Sequence, residues 1–186
     1  MVKFLLIKMM TFPNRRGREC FVSSLANLAM IVFGDFDTAS KIYHESRVHP
    51  LVLPDGGTFL GAWPRLVSDL SGNKYVGTVV VSPDYLERAL GESRERYDAE
   101  QFSLYERALD ESLQSGLVDL TGVCQSQQPV ILSIGEVGRQ ATHAILDLRN
   151  GKVVDDGVVC YRNVFSDQYH FGAILKVTRT NECASP

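Results

Sequence analysis

A thiol and an imidazole are the side chains in this sequence best suited to forming and breaking covalent bonds, and their positions restrict which of them can meet. The cysteines are Cys20, Cys124, Cys160 and Cys183, widely spaced and without a C-x-x-C pair, so a zinc site has little support. Cys20 stands apart because it opens a long apolar stretch of helical periodicity. A helix start presents unpaired backbone N–H groups and the positive end of the dipole, and both favour a thiolate over a thiol. Arg15, Arg16 and Arg18 add positive charge just before it. Cys124 follows Gly122 in a loop, while Cys160 and Cys183 lie late in the chain, away from any helix start.

A nucleophile needs a base within hydrogen-bond reach, usually oriented by a third group. His143 is the candidate base: in Ala141-Thr142-His143-Ala144-Ile145-Leu146 it interrupts an otherwise apolar strand. His44 falls on a charged helix and His49 precedes Pro50, so both are expected at the surface; His170, in a strand, is a weaker alternative. The Asn150-Gly151 pair is a strong type I′ hairpin signal. With these as the turn residues, Arg149 faces Lys152 and His143 faces Val158. The diagonal neighbour of His143 on the same face is then Asp156, roughly 7–8 Å away at the backbone and within side-chain reach. Asp155 points to the opposite face in this register, so Asp156 is the expected orienting acid.

These residues need a scaffold. Glu19 to Phe33 reads as a helix apolar on most sides, with Phe21, Leu25, Leu28 and Val32 at helical spacing and Val22, Ala26, Ala29 and Met30 widening the face. Such a helix belongs in the middle of a domain. Asp37 to Ser46 predicts a second helix, and Thr58 is placed to cap a third running to about Leu70, which Pro64 restricts to two pieces. Tyr75 to Val81 is rich in β-branched residues and reads as a strand. Asp84 to about Leu113 is charged and helical with a break near Gly91, and reads either as a plain surface helix pair or as part of an insertion or lid over about 83–128. Strands are expected at Val130 to Ile134, Ala141 to Leu148, Lys152 to Val159 and Tyr169 to Thr178, and the apolar Met1 to Met10 segment reads as another. Helices first and an antiparallel sheet last indicate a single α+β domain.

Composition is consistent with one globular unit. The chain has 186 residues, 45% hydrophobic and 22% charged, with a formal net charge of -3 that gives no global reason to expect nucleic acid. The apolar run Phe4 to Ile7 is too short for a membrane span or a secretory h-region. Free thiols in a reducing cytoplasm are therefore the expectation, with no membrane partner. Trp63 is expected in the core.

At these residues the chain resembles the papain-like cysteine peptidases, in particular the branch that cleaves double-glycine leader peptides from bacteriocins and its stand-alone relatives. That branch carries a Gln shortly before a Cys at the head of a helix ending in a small-apolar pattern; here the stretch runs from Asn14 through Cys20 to Leu28-Ala29-Met30. Gly57-Thr58, Pro129-Val130-Ile131-Leu132 and His143-Ala144-Ile145-Leu146 match its later elements, and the 83–128 region lies outside the resemblance. The resemblance implies a papain-like fold and acyl chemistry, with Cys20 as nucleophile, His143 as base and Asp156 as the third member. The Cys20 N–H and Asn14, which stands in place of the family's Gln, would form the oxyanion hole. Phe21-Val22-Ser23 replaces the family's Gly-containing run after the cysteine. A peptide or protein substrate is implied, and no cofactor. Water as acceptor makes a peptidase or amidase and an amine or alcohol an acyltransferase, while the same fold without activity makes a binding protein.

Overall fold

The computed structural model describes residues 11–14, 18–136, 143–165 and 169–182. The expected first strand over Met1 to Met10, together with Arg15, Arg16, Ala141, Thr142 and Cys183, lies outside these residues. The architecture is α+β. Helices α1 (Cys20–Ile31), α2 (Phe36–Glu45) and α3 (Trp63–Ser71) lead into strand β1 (Tyr75–Val81). Helices α4 (Pro83–Arg96) and α5 (Ala99–Gln114) follow, and then strands β2 (Val118–Asp119), β3 (Val130–Glu136), β4 (His143–Asp147), β5 (Lys152–Asp155), β6 (Val158–Tyr161) and β7 (Tyr169–Arg179).

The strands form one sheet in the order β2-β1-β7-β3-β4-β5-β6. It is mixed rather than wholly antiparallel, because β2 runs parallel to β1. β7 inserts between β1 and β3, so the middle strand β1 joins the C-terminal strands in a single layer. Alternation along the strands divides the apolar side chains: Ile131, Ala144, Leu146, Val154 and Leu175 share the main core with the helices, while Val130, Leu132, Ile134, Ile145 and Val153 form a second cluster.

α1 packs on β4, β5 and β3, with α2 behind it. Its Phe21, Leu25, Ala26, Leu28 and Ala29 are fully buried, and a buried Leu or Phe side chain stabilises by about 1.5–3 kcal/mol. The helix is not uniformly apolar, since Ser23, Ser24 and Asn27 are buried with it. Asn27 brackets the backbone of Phe12, accepting from its N–H at 2.9 Å and donating to its carbonyl at 3.0 Å, and Ser23 Oγ donates to the same carbonyl. Tyr43 of α2 donates to the Pro13 carbonyl, so the chain leading into α1 is pinned from both sides.

The break in the charged helical region falls at Tyr97-Asp98, not near Gly91. Asp98 accepts from the Gln101 N–H at 2.8 Å and so starts a new helix, whereas Gly91 sits inside α4 with open space where a side chain would project, and a glycine there costs only about 1 kcal/mol. Thr58 does not cap a helix either; its hydroxyl accepts from Trp63 Nε1 at 3.0 Å, and Pro64 sits in the first turn of α3, where its missing N–H costs nothing.

Between Ser133 and Ile134 the β3–β7 register shifts, leaving Gly172 without a partner on β3. The ring of Tyr85 from α4 occupies the space a side chain at 172 would need, its Cζ and Oη being the nearest atoms. The bulge thus seats α4 against the sheet. Gly172→Ala is expected to destabilise the fold by about 1–3 kcal/mol through overpacking, and a second substitution, Tyr85→Leu, is expected to recover part of that loss in urea unfolding.

Candidate active site

Cys20 is the first residue of α1 and half-buried. The first intrahelical bond at this end runs from the Ser23 N–H to the Glu19 carbonyl, so the N–H groups of Cys20, Phe21 and Val22 precede the helical ladder. His143 is the first residue of β4. The two line the same cleft, about 720 Å³ in volume; the Cys20 thiol points its hydrogen at the Arg18 carbonyl, 3.9 Å away, and lies near enough to His143 to act on the charge of the ring.

The carboxylate bonded to His143 is Asp155. His143 Nε2 donates to Asp155 Oδ1 at 2.5 Å, with both side chains about a quarter exposed, at 28% and 27%. Asp156 is not the partner, and the cause is a one-residue difference in hairpin register. Asp147 pairs with Val153 and Leu146 with Val154, so the loop holds Arg149, Asn150 and Gly151 rather than Asn150 and Gly151 alone. Asp147 explains the extra residue: its buried carboxylate accepts the Arg149 N–H at 2.9 Å, and Arg149 takes the left-handed conformation at φ 61°. A slip of one position exchanges the faces of every residue on a strand. Asp155 thereby moves to the face of His143, and Asp156 (φ 48°) joins Gly157 in a turn that divides the expected Lys152 to Val159 strand into β5 and β6.

Burial by itself would lower the pKa of His143, but the Asp155 carboxylate that accepts from its ring, with the Cys20 side chain nearby, pushes it up to about 10. Nε2 is the nitrogen committed to Asp155, which leaves Nδ1 outside that bond. A thiol and a carboxylate-bound imidazole in one cleft are the kinds of group that nucleophilic catalysis needs.

Asn14 does not enter the cleft. Its carboxamide oxygen accepts from the Glu19 N–H at 2.9 Å, five residues on, which places the side chain on the loop before α1. The N–H groups that lie beside the sulfur are those at the head of α1, before the first bond of the helical ladder. Glu19 is itself buried, with Arg47 Nε at 3.8 Å, and its side chain fills the space beside Gly56. That contact and an Arg18–Asp55 ion pair at 2.6 Å tie the loop containing Leu53, Asp55 and Gly57, which lines the cleft, to the segment carrying the nucleophile.

Trp63 is both core and cleft wall: it is buried and stacks on Phe21 with ring centroids 4.6 Å apart. Tyr85, Ala89, Ser93, Arg96 and Tyr97 bring α4 and its C-terminal end to the opposite wall, so the charged region expected as a lid or insertion contributes directly to the cleft. Of the other histidines, His44 is exposed as expected, but His49 is half-buried and 3.3 Å from Asp69. Burial and the charge of Asp155 push the Cys160 thiol up, the wrong direction for a nucleophile. Among the described residues, the side chains of His143, Asp155 and Asp156 come within 4.8 Å of one another, so they are the group able to approach a metal ion; the imidazole nitrogen concerned is already bonded to Asp155.

No family model, curated protein or solved structure matches the chain. The reading of the site therefore rests on its own geometry. No helix among the described residues is long and apolar enough to cross a membrane.

The raised pKa has a consequence for stability. The protonated ring is favoured in the folded state, so its contribution is fully present below about pH 6.5 and is lost as pH rises through about 10. The difference in unfolding free energy between the parent and His143→Gln is therefore expected to be largest near pH 6 and to shrink steadily toward pH 10 in urea titrations.

Proposed function

We propose that this chain is a papain-like thiol hydrolase, a peptidase or amidase working through Cys20, His143 and Asp155. The observation that carries the reading is the convergence of a helix-start thiol and a carboxylate-bound imidazole in one cleft. Cys20 Sγ attacks the substrate carbonyl carbon, and the backbone N–H groups at the head of α1 receive the developing oxyanion. His143 gives its proton to the leaving amine as the C–N bond breaks, leaving an acyl-Cys20 thioester. His143 then takes a proton from water, whose oxygen forms the new C–O bond as the C–S bond breaks, and the carboxylic acid product departs. Asp155 holds the ring throughout. With an amine or alcohol in place of that water, the same steps make an acyltransferase.

A cytoplasmic setting, where thiols stay reduced, suits such an enzyme. The size and mixed lining of the cleft suit a peptide or protein segment, with Arg18, Asp55, Glu92 and Arg96 around the mouth and Phe59, Trp63 and Tyr85 deeper. A second reading, a binding protein of the same fold without turnover, is favoured by one observation: Asn14 bonds the loop instead of facing the thiol.

Acyl-enzyme trapping separates the two. Incubated with activated peptide esters, the parent is expected to gain the acyl mass on Cys20. Cys20→Ala is expected to abolish the adduct, and His143→Ala to slow its formation by about 10²–10⁴-fold. Labelling of Cys20 no faster than that of Cys124 would favour the binding protein.

A further inference from the structure

α1 and β4 carry the two reacting groups, and most of what joins them is apolar packing of Ala144 and Leu146 within the main core. Such packing is non-directional: it fixes how closely a helix approaches a sheet but resists sliding or rotation only weakly. A hydrogen bond is directional and falls off steeply when misaligned. Among the described residues, a side-chain hydrogen bond from the middle of α1 crosses this boundary. Ser24, four residues after Cys20 in α1, donates its Oγ hydrogen to the carbonyl of Ala144, the residue after His143, at 3.1 Å.

A serine within a helix ordinarily turns its hydroxyl to water or to a carbonyl of its own preceding turn. Ser24 is buried, with 4% of its surface exposed, and reaches across to another element instead. Its neighbours Ser23 and Asn27 act in a different direction, on Phe12, so they fix the entry to the helix and not its seat on β4. The span from sulfur to imidazole is thus bridged by one turn of α1, the Ser24–Ala144 bond and one residue of β4.

We propose that Ser24 is a positioning residue for the reaction: it fixes the helical phase of α1 against β4 so that the Cys20 thiol meets the free nitrogen of His143. This rests on the thiol-hydrolase reading of the site. Removing the hydroxyl leaves both reacting side chains and the apolar contacts in place, so the loss falls on their coupling and not on the intrinsic reactivity of either.

The test measures alkylation of Cys20 by iodoacetamide across pH, by mass spectrometry, in the parent, Ser24→Ala, Ser24→Thr, His143→Ala and the Ser24→Ala/His143→Ala double variant, each first checked for a cooperative melt. Ser24→Ala is expected to slow alkylation near pH 6 by roughly five- to tenfold and to move the profile toward that of His143→Ala. Ser24→Thr, which keeps the hydroxyl, is expected to recover most of the rate. In the His143→Ala background the same change is expected to have no further effect. A parental profile in Ser24→Ala, or an equal loss with and without His143, overturns the positioning role while leaving the thiol-hydrolase reading standing. A Ser24→Ala chain that does not fold assigns the hydroxyl to stability and overturns the role as well. If His143→Ala leaves the parental profile unchanged, the thiol-hydrolase reading itself fails, and the role with it.

Discussion

Everything chemical in this molecule depends on a helix start and a strand start being held side by side. Cys20 begins α1 and His143 begins β4, more than a hundred positions apart in sequence, the first at a helix start that leaves backbone N–H groups outside the ladder and the second paired with Ile134 of β3. Neither element could supply this alone. Burial of Phe21, Leu25 and Leu28 draws α1 onto the sheet, and the buried Ser23, Ser24 and Asn27 give that attraction direction. Polar groups in such a setting are costly unless bonded, and each of these three has a partner.

The environment of the imidazole follows from the same arrangement. A ring this withdrawn from water loses some of its tendency to be charged, and only the nearby carboxylate and thiol reverse that tendency. The acid is the last residue of β5, whose register is set by the loop before it. Asp147, wholly buried at the far end of β4 with Arg149 and Arg162 at 3.4 Å, therefore influences the site from a distance by fixing which carboxylate faces His143.

Much of this was legible in the sequence, and the failures share a cause. The α+β class, the buried α1, strand β1 at Tyr75–Val81 and the convergence of Cys20 with His143 follow from periodicity and from residue type at element starts. The acid was displaced by one residue because Asn150-Gly151 is such a strong turn signal that it masked a second one. Asp147, two residues before Arg149, is an Asx-turn former, and weighing it would have lengthened the loop. The polar stripe of α1 was hidden by the apolar average around it. An oxyanion role for Asn14 follows from the family pattern alone, whereas its bond to Glu19 is a local satisfaction of a backbone amide that a pattern does not reveal. The role of Gly172 and the entry of Tyr85 depend on a bulge, which belongs to the pairing of two strands and not to either alone.

The central claim is that Cys20, His143 and Asp155 form one coupled unit, and the ring of His143 reports on it directly. An NMR titration of the imidazole in the parent, Cys20→Ser, Asp155→Asn and Asp156→Asn proteins would read the coupling residue by residue. The structure predicts a parental ring that stays protonated to about pH 10, falls toward ordinary histidine behaviour in Cys20→Ser and Asp155→Asn, and is unchanged in Asp156→Asn. A parental ring that titrates near pH 6.5 and ignores both Cys20 and Asp155 would contradict it.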